Sequence, residues 1–276
     1  MYQGIKVIEN FDKWDEWFSR EKEIHLDQLP HSDYFQNMGV VFKAAQCEDL
    51  PKTKEHGIVK GEHVVHLKKY FPCGVKPLNT EQTIALELLN DDTIPLVTLF
   101  GNAGSGKTLL ACAHAAHSLK KGLVNKIVIA KSLTPVGREI GYLKGTLQEK
   151  ILPWLGPFLD NFEKCELPRF HIEKMIAEGK IEITPITFIQ GRSISNSIII
   201  VDEVQNLDMN VIKQIVTRAA DNCKIILLGD PSQRFEKGSL DLTDFIEKGK
   251  MSDLVGHIFF RKSVRSPLAQ WAVTNL

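Results

Sequence analysis

From Lys76 onward, short and continuously apolar runs alternate with stretches in which apolar residues recur every three or four positions. The runs are Leu96 to Phe100, Lys126 to Ala130, Ser197 to Val201, Lys224 to Leu228 and Gly256 to Phe260. Strands apolar at successive positions are buried on both faces, so the pattern predicts a parallel sheet with helices on each side. The helices have readable ends. Thr108 to Lys120 closes at Gly122, a glycine placed for a left-handed C-terminal cap. Asp208 is placed to cap a helix that buries Val211, Ile212, Ile215, Val216 and Ala219.

The first 75 residues read differently. Phe11, Trp14, Trp17 and Phe18 form an aromatic stripe expected on a short helix, as core or docking surface. Two extended segments follow, around Gly39 to Ala45 and Gly57 to Leu67. This predicts a small α+β appendage over residues 1–75, without chemistry of its own, before a larger domain over residues 76–276. His63, His66 and nearby Cys73 suggest a metal site. A strand, however, turns positions three apart to opposite faces, so none is expected.

The chain has 276 residues, 43% of them hydrophobic, which excludes a disordered chain and fits one large domain with an appendage. Its 34 Lys and Arg balance 34 Asp and Glu, so attraction to nucleic acid or anionic lipid has to come from a local patch. The longest aliphatic runs, Ile198 to Val201 among them, are far short of the roughly 20 residues of a membrane span. Met1 to Arg20 carries Glu9, Asp12, Asp15 and Glu16 and no apolar signal region. A soluble protein with no membrane association is expected. Five cysteines without a Cys-x-x-Cys pair argue against zinc ribbons and disulfide frameworks and fit a reducing cytosol.

The strongest chemical signal is Gly101-Asn-Ala-Gly-Ser-Gly-Lys107-Thr108, a full match to G-x-x-x-x-G-K-[ST] between an apolar strand and a helix. Glycines let the backbone curl its N–H groups inward at phosphate oxygens, and the helix N-terminus adds positive potential. Lys107 is then placed on the β- and γ-phosphates, and the Thr108 hydroxyl on Mg²⁺.

Ile198-Ile-Ile-Val-Asp202-Glu203 is an aliphatic strand ending in two acids. Asp202 is placed to hold Mg²⁺, and Glu203 to polarise a water for attack on the γ-phosphate. Two acids ahead of a helix also suit its dipole, and that reading competes. Gly229-Asp-Pro-Ser-Gln233 ends the next strand. Gln233 is placed to contact the γ-phosphate or the attacking water, although Asp230 and Ser232 also suit a plain turn. Gln82 either completes a capping box with Asn79 or reads the adenine edge. Arg261 and Arg265 follow the last strand as candidates for transition-state charge, or as solvated surface cations.

Together these motifs resemble the PhoH family, whose ATPase domain is related to the first motor domain of superfamily 1 helicases. The resemblance spans about 70% of the chain, from Lys76 to Trp271. It includes Leu78 to Gln82, the phosphate loop, Asp202 to Asn206, Gly229 to Gln233 and Arg265 to Leu268. It extends to Lys131 to Pro135, Gly141 to Trp154 and Ile183 to Arg192, outside the generic nucleotide motifs. Asn102 stands where proline is usual, Ser105 where threonine is, and Arg234-Phe235 where Ile-Asp is common. The layout is similar to short phage-encoded members without a fused PIN nuclease domain, so the nuclease activity of the fused members is not inferred.

The resemblance implies a P-loop NTPase of RecA-like, superfamily 1 motor-like α/β architecture. It further implies use of ATP and Mg²⁺ and a place in the cytoplasm of a bacterial or phage-infected cell. The implied nucleotide site is Gln82, Gly101, Asn102, Ala103, Gly104, Ser105, Gly106, Lys107, Thr108 and Leu109. Thr108 and Asp202 are the implied metal ligands, and Lys107, Glu203, Gln233 and Arg265 the residues expected to serve hydrolysis. The expected activity is ATP hydrolysis coupled to single-stranded RNA or DNA. Ser132, Thr134 and Pro135, with Lys131, Arg138, Lys144 and Arg192, would form the local phosphate-binding patch. A homo-oligomer, with a hexameric ring favoured, is implied, Arg265 acting in cis or across subunits. A slow nucleotide switch for protein partners and a small-molecule kinase are the other readings. Glu203 argues against the first, and the Asp202 to Asn206 and Gly229 to Gln233 motifs against the second.

Overall fold

The computed structural model describes residues 4–11, 23–30, 33–44, 54–131, 147–189, 191–233, 242–250 and 252–263. Two sheets organise them. The N-terminal one joins β1 (Ile5–Phe11), β2 (Glu23–His25), β3 (Gly39–Ala44), β4 (Lys54–Lys60) and β5 (His63–His66) in the order β1-β3-β4-β5-β2. The larger one contains β6 (Leu96–Gly101), β7 (Lys126–Lys131), β8 (Ile181–Pro185), β9 (Ser197–Asp202), β10 (Cys223–Gly229) and β11 (Val255–Phe260). Its order is β11-β6-β10-β9-β7-β8, and every pairing is parallel. This is the α/β parallel sheet that the apolar runs predict.

Side chains along each strand divide by parity. Val97 and Leu99, Ile127 and Ile129, and Ile198 and Ile200 join one apolar cluster with α1 (Thr80–Asn90), α2 (Lys107–Lys120), α3 (Leu147–Lys164) and α4 (Arg169–Ala177). Phe100, Val128, Ile199 and Val201 join a second with α5 (Met209–Val216) and α6 (Leu242–Gly249). A residue period of two thus feeds two cores, one on each face. The caps form as the sequence indicates. Asn79 Oδ1 accepts the Gln82 N–H and Asp208 Oδ1 accepts the Val211 N–H, satisfying donors that a helix start leaves unpaired.

Several expectations are corrected. Phe11 ends β1 rather than starting a helix, while Trp14, Trp17 and Phe18 lie outside the described residues. The segment read as one extended run from Gly57 to Leu67 is the hairpin β4–β5, turning at Gly61-Glu62. His63 stacks edge-on against His25, whereas His66 faces Glu55 at 3.3 Å, so the two histidines serve different neighbours. The appendage also shares the main core: Ile58 and Leu67 pack in the same cluster as Ile84 and Leu88.

At the opposite end of the large sheet from the phosphate loop, Lys224 is 8% exposed. Its ammonium donates to the Asp91 and Ile94 carbonyls at 2.7 and 3.0 Å. Burial lowers its pKa to about 8, against the pull of Asp92 and Asp91. The folded value lies below the ordinary lysine value. Between the two the unfolded chain holds more protons, and stability rises with pH. The burial cost is therefore present in full below pH 8 and fades above it. We expect the unfolding free energy of the wild type, relative to Lys224→Met, to increase by on the order of 2 kcal/mol between pH 7.5 and 10. Denaturant titrations of both proteins across that range check this, and a pH-independent difference contradicts it.

Candidate nucleotide site

Parallel pairing brings the C-terminal ends of the strands to one edge, and a cavity of about 480 Å³ opens there. Its floor is the loop between β6 and α2. Gly101 ends β6 at φ +138°, and a Cβ there would lie 2.2 Å from the Phe260 carbonyl oxygen. Gly106 starts α2 in the left-handed region, φ +94°, where a Cβ would meet Gln82 Nε2 at 2.8 Å. Both positions need glycine for conformation and for space. The Lys107 ammonium curls over this loop and donates to the Gly101 and Asn102 carbonyls at 2.5 and 2.8 Å.

Gln82 explains how the loop is held. It is 4% exposed. Its Nε2 donates to the Ser105 carbonyl at 3.0 Å, and its Oε1 accepts the Leu78 N–H at 2.8 Å. Its backbone N–H meets the Asn79 cap. The capping spacing is therefore realised, and the side chain in addition ties the start of α1 to the phosphate loop.

Across the cavity, β9 ends in Asp202 and the chain turns sharply at Glu203, which takes φ +59° and ψ 37°. Left-handed backbone at a non-glycine residue costs roughly 1–2 kcal/mol, so the surroundings must hold it. Asp202 Oδ1 accepts the Glu203 N–H at 3.0 Å. Burial, together with the charge of Glu203, raises the Asp202 carboxyl above its ordinary pKa. Lys131, Lys107 and the Glu203 N–H work against that rise. A half-buried carboxylate in this position, with Lys131 at 3.8 Å as a partner of opposite charge, fits a divalent cation, which would add countercharge. The nearby Thr108 hydroxyl gives an all-oxygen donor set of the kind Mg²⁺ prefers.

The turn after β10 lies between these two features, because β10 separates β6 from β9. Asp230 is 5% exposed. Its Oδ1 accepts from the Ser232 N–H and hydroxyl, and its Oδ2 is buried without a hydrogen-bond partner. Gln233 closes the turn by donating its N–H to the Asp230 carbonyl, and it lines the cavity beside Asp202 and Glu203.

The structure thus gathers Ala103, Gly104, Gly106, Lys107, Thr108 and Leu109 on one side, with Asp202, Glu203 and Gln233 opposite. Gly101, Ser105 and Gln82 lie behind the lining and shape it, and Asn102 is exposed at its edge. Arg265 lies outside the described residues, as do Ser132, Thr134, Pro135, Arg138 and Lys144. Arg261 is exposed after β11, where its N–H and that of Lys262 donate to Glu81.

Two cations of the expected nucleic-acid patch are engaged elsewhere. Lys131 pairs with Asp202 at 3.8 Å and lines the nucleotide cavity, because β7 and β9 pair Lys131 opposite Asp202. Arg192 grips Glu182 with both terminal nitrogens, and with Lys126 it holds that carboxyl down to about 2. Sequence reasoning also missed Asn161 and Lys164 of α3, which line the cavity. Their helix contains Pro153, Gly156 and Pro157, which mask its period.

Comparison with known proteins bears on this site. The family described as PhoH-like protein matches residues 74–276. Protein PhoH2 of Bacillus subtilis is 41% identical over 289 residues, covering 100% of this chain and 64% of the relative. Protein PhoH2 of Mycolicibacterium smegmatis is 35% identical over 201 residues, covering 71% and 46%. A PhoH-like protein of Synechocystis is 31% identical over 226 residues, covering 80% and 67%. The chain therefore spans about half to two-thirds of the length of these relatives.

Removing the Gln82 amide leaves the Ser105 carbonyl and the Leu78 N–H without their partner. We expect Gln82→Ala to lower the unfolding free energy by about 2 kcal/mol, the range for buried groups left unsatisfied. Equilibrium denaturation measures this, and a loss below about 0.5 kcal/mol contradicts the anchoring role.

Proposed function

The chain belongs to the PhoH family, and on that premise we propose that it binds ATP with Mg²⁺ and hydrolyses it to ADP and phosphate. The observation that carries this reading is the meeting of Lys107, Thr108, Asp202, Glu203 and Gln233 around one cavity at the ends of parallel strands. Loop N–H groups and the α2 N-terminus would take the β-phosphate, with Lys107 reaching the γ-phosphate. Thr108 and Asp202 would hold Mg²⁺, which when bound neutralises charge on the phosphate oxygens. Glu203 would accept the proton of the attacking water, and Gln233 would orient that water or contact the γ-phosphate.

Among the described residues, the cations lining the cavity are Lys107, Lys131 and Lys164. An arginine for the transition-state charge would come from Arg265 or from a neighbouring subunit. We therefore include assembly as a ring, with six copies favoured, in the proposal. Full activity in a monomer contradicts the arrangement across subunits. We place the protein in the cytoplasm of a bacterial or phage-infected cell.

Lys107→Ala should abolish ATP binding. Glu203→Gln should bind ATP and hydrolyse it at least about tenfold more slowly, since a general base is worth roughly 10² to 10⁴ in rate. Binding by calorimetry and phosphate release check the pair. Wild-type turnover in Glu203→Gln contradicts the base assignment.

Coupling to a single strand, RNA foremost, is supported by the family resemblance. With Lys131 and Arg192 paired to carboxylates, the contact is assigned to the other residues of the segment after β7, Ser132, Thr134, Pro135, Arg138 and Lys144. We expect single-stranded RNA or DNA homopolymers to raise the ATPase rate, with a gain that shrinks as salt rises. If neither polymer binds or changes the rate at low salt, the coupling fails and a slow switch for protein partners takes its place.

A further inference from the structure

Gln205 is 0% exposed, and its amide spans the gap between the ends of β9 and β10. Its Nε2 donates to Glu203 Oε2 at 2.6 Å. Its Oε1 accepts the Asp230 N–H at 3.0 Å. The first bond is short and the second of ordinary length, and because the Gln205 amide is itself fully buried, a lost partner is costly. Glu203 itself has a left-handed backbone, so its carboxylate is aimed by a strained turn and needs a second restraint. Gln205 supplies that restraint from within the same turn, since Val204–Asn206 forms the single 3₁₀ turn that follows Glu203.

The other end of the amide reaches the sensor side. Asp230 opens the turn that places Gln233 in the cavity, and the Gln233 N–H closes back onto the Asp230 carbonyl. Gly229 adjoins the same amide: a Cβ there would lie 3.3 Å from Gln205 Oε1. The carboxylate of Glu203 and the backbone that carries Gln233 are thus joined through one buried side chain. A carboxylate free to rotate is not held toward the attacking water, and orientation of a reacting group contributes to rate.

We propose that Gln205 is a positioning residue that locks the Glu203 carboxylate for water activation and fixes it relative to the Gly229–Gln233 turn. The inference rests on the reading of Glu203 as the general base. It predicts a defect in turnover, not in nucleotide binding, because Gln205 does not line the cavity where nucleotide would sit.

The test uses the full chain with Gln205→Met, which keeps the volume and removes both hydrogen bonds, and Gln205→Asn, which keeps the amide one methylene too short. In Gln205→Met, kcat should fall at least tenfold, while KM and the Kd for ATP stay within threefold. Gln205→Asn should fall between it and wild type. The double variant Glu203→Gln/Gln205→Met should be no slower than Glu203→Gln alone, because the restraint then has nothing left to position. Turnover in Gln205→Met within twofold of wild type, beside a slow Glu203→Gln, overturns the role of Gln205 alone. So does a full multiplicative loss in the double variant. A rise in KM matching the fall in kcat/KM, or loss of ATP binding in both Gln205 variants, marks a merely structural residue and also overturns it. Wild-type turnover in Glu203→Gln instead overturns the base reading on which the proposal stands.

Discussion

The site depends on the register of six parallel strands, the four interior ones buried on both faces. Interior strands satisfy their backbone groups only through neighbouring strands, and each residue is committed to one of two cores by its parity. A slip of one residue would exchange those cores' contents, so register is strongly fixed. Fixed register sets which residues stand level at the strand ends. Gly101 lies opposite Phe260, Gly229 opposite Phe100, and Asp202 opposite Lys131. The meeting of the phosphate loop, the acid pair and the Gly229–Gln233 turn at one edge follows from core packing, not from contacts among the site residues.

Packing alone leaves the loops at those ends free to wander, and two buried glutamines restrain them. Gln82 joins the segment before α1 to the phosphate loop, and Gln205 joins Glu203 to Asp230. Each uses donor and acceptor of one amide, so neither leaves that buried amide wholly unsatisfied, an outcome that would be costly. The arrangement suits electrostatic catalysis, in which groups held beforehand need no reorganisation as charge develops. It also accommodates the unfavourable backbone of Glu203, which neighbouring structure has to sustain.

The four interior strands and β11 were legible because β-branched, largely apolar runs have few alternatives at that length. β8 was not, since Ile181-Glu-Ile-Thr-Pro185 at the sheet edge carries polar residues and ends in proline. The Lys60-Gly61-Glu62 turn lacks the usual Asn-Gly or Asp-Gly signal, so β4 and β5 read as one segment. The phosphate loop and the acid pair were legible as motifs because their chemistry is local in sequence. The partners of Gln82 and Gln205 were not, because Ser105 and Asp230 lie 23 and 25 residues away. The pairing of Lys131 with Asp202 is invisible in the sequence for a related reason: the two are 71 positions apart, and only the β7–β9 register brings them level.

The most direct test of this account is a crystal structure with Mg²⁺, ADP and beryllium fluoride. The β-phosphate is predicted in the loop from Gly101 to Thr108, with the metal on Thr108 and Asp202. The Glu203 carboxylate should lie within about 3.2 Å of a water in line with the fluoride, hydrogen-bond reach for a base. Nucleotide bound away from that loop, or Glu203 turned from that water while still held by Gln205, would contradict it.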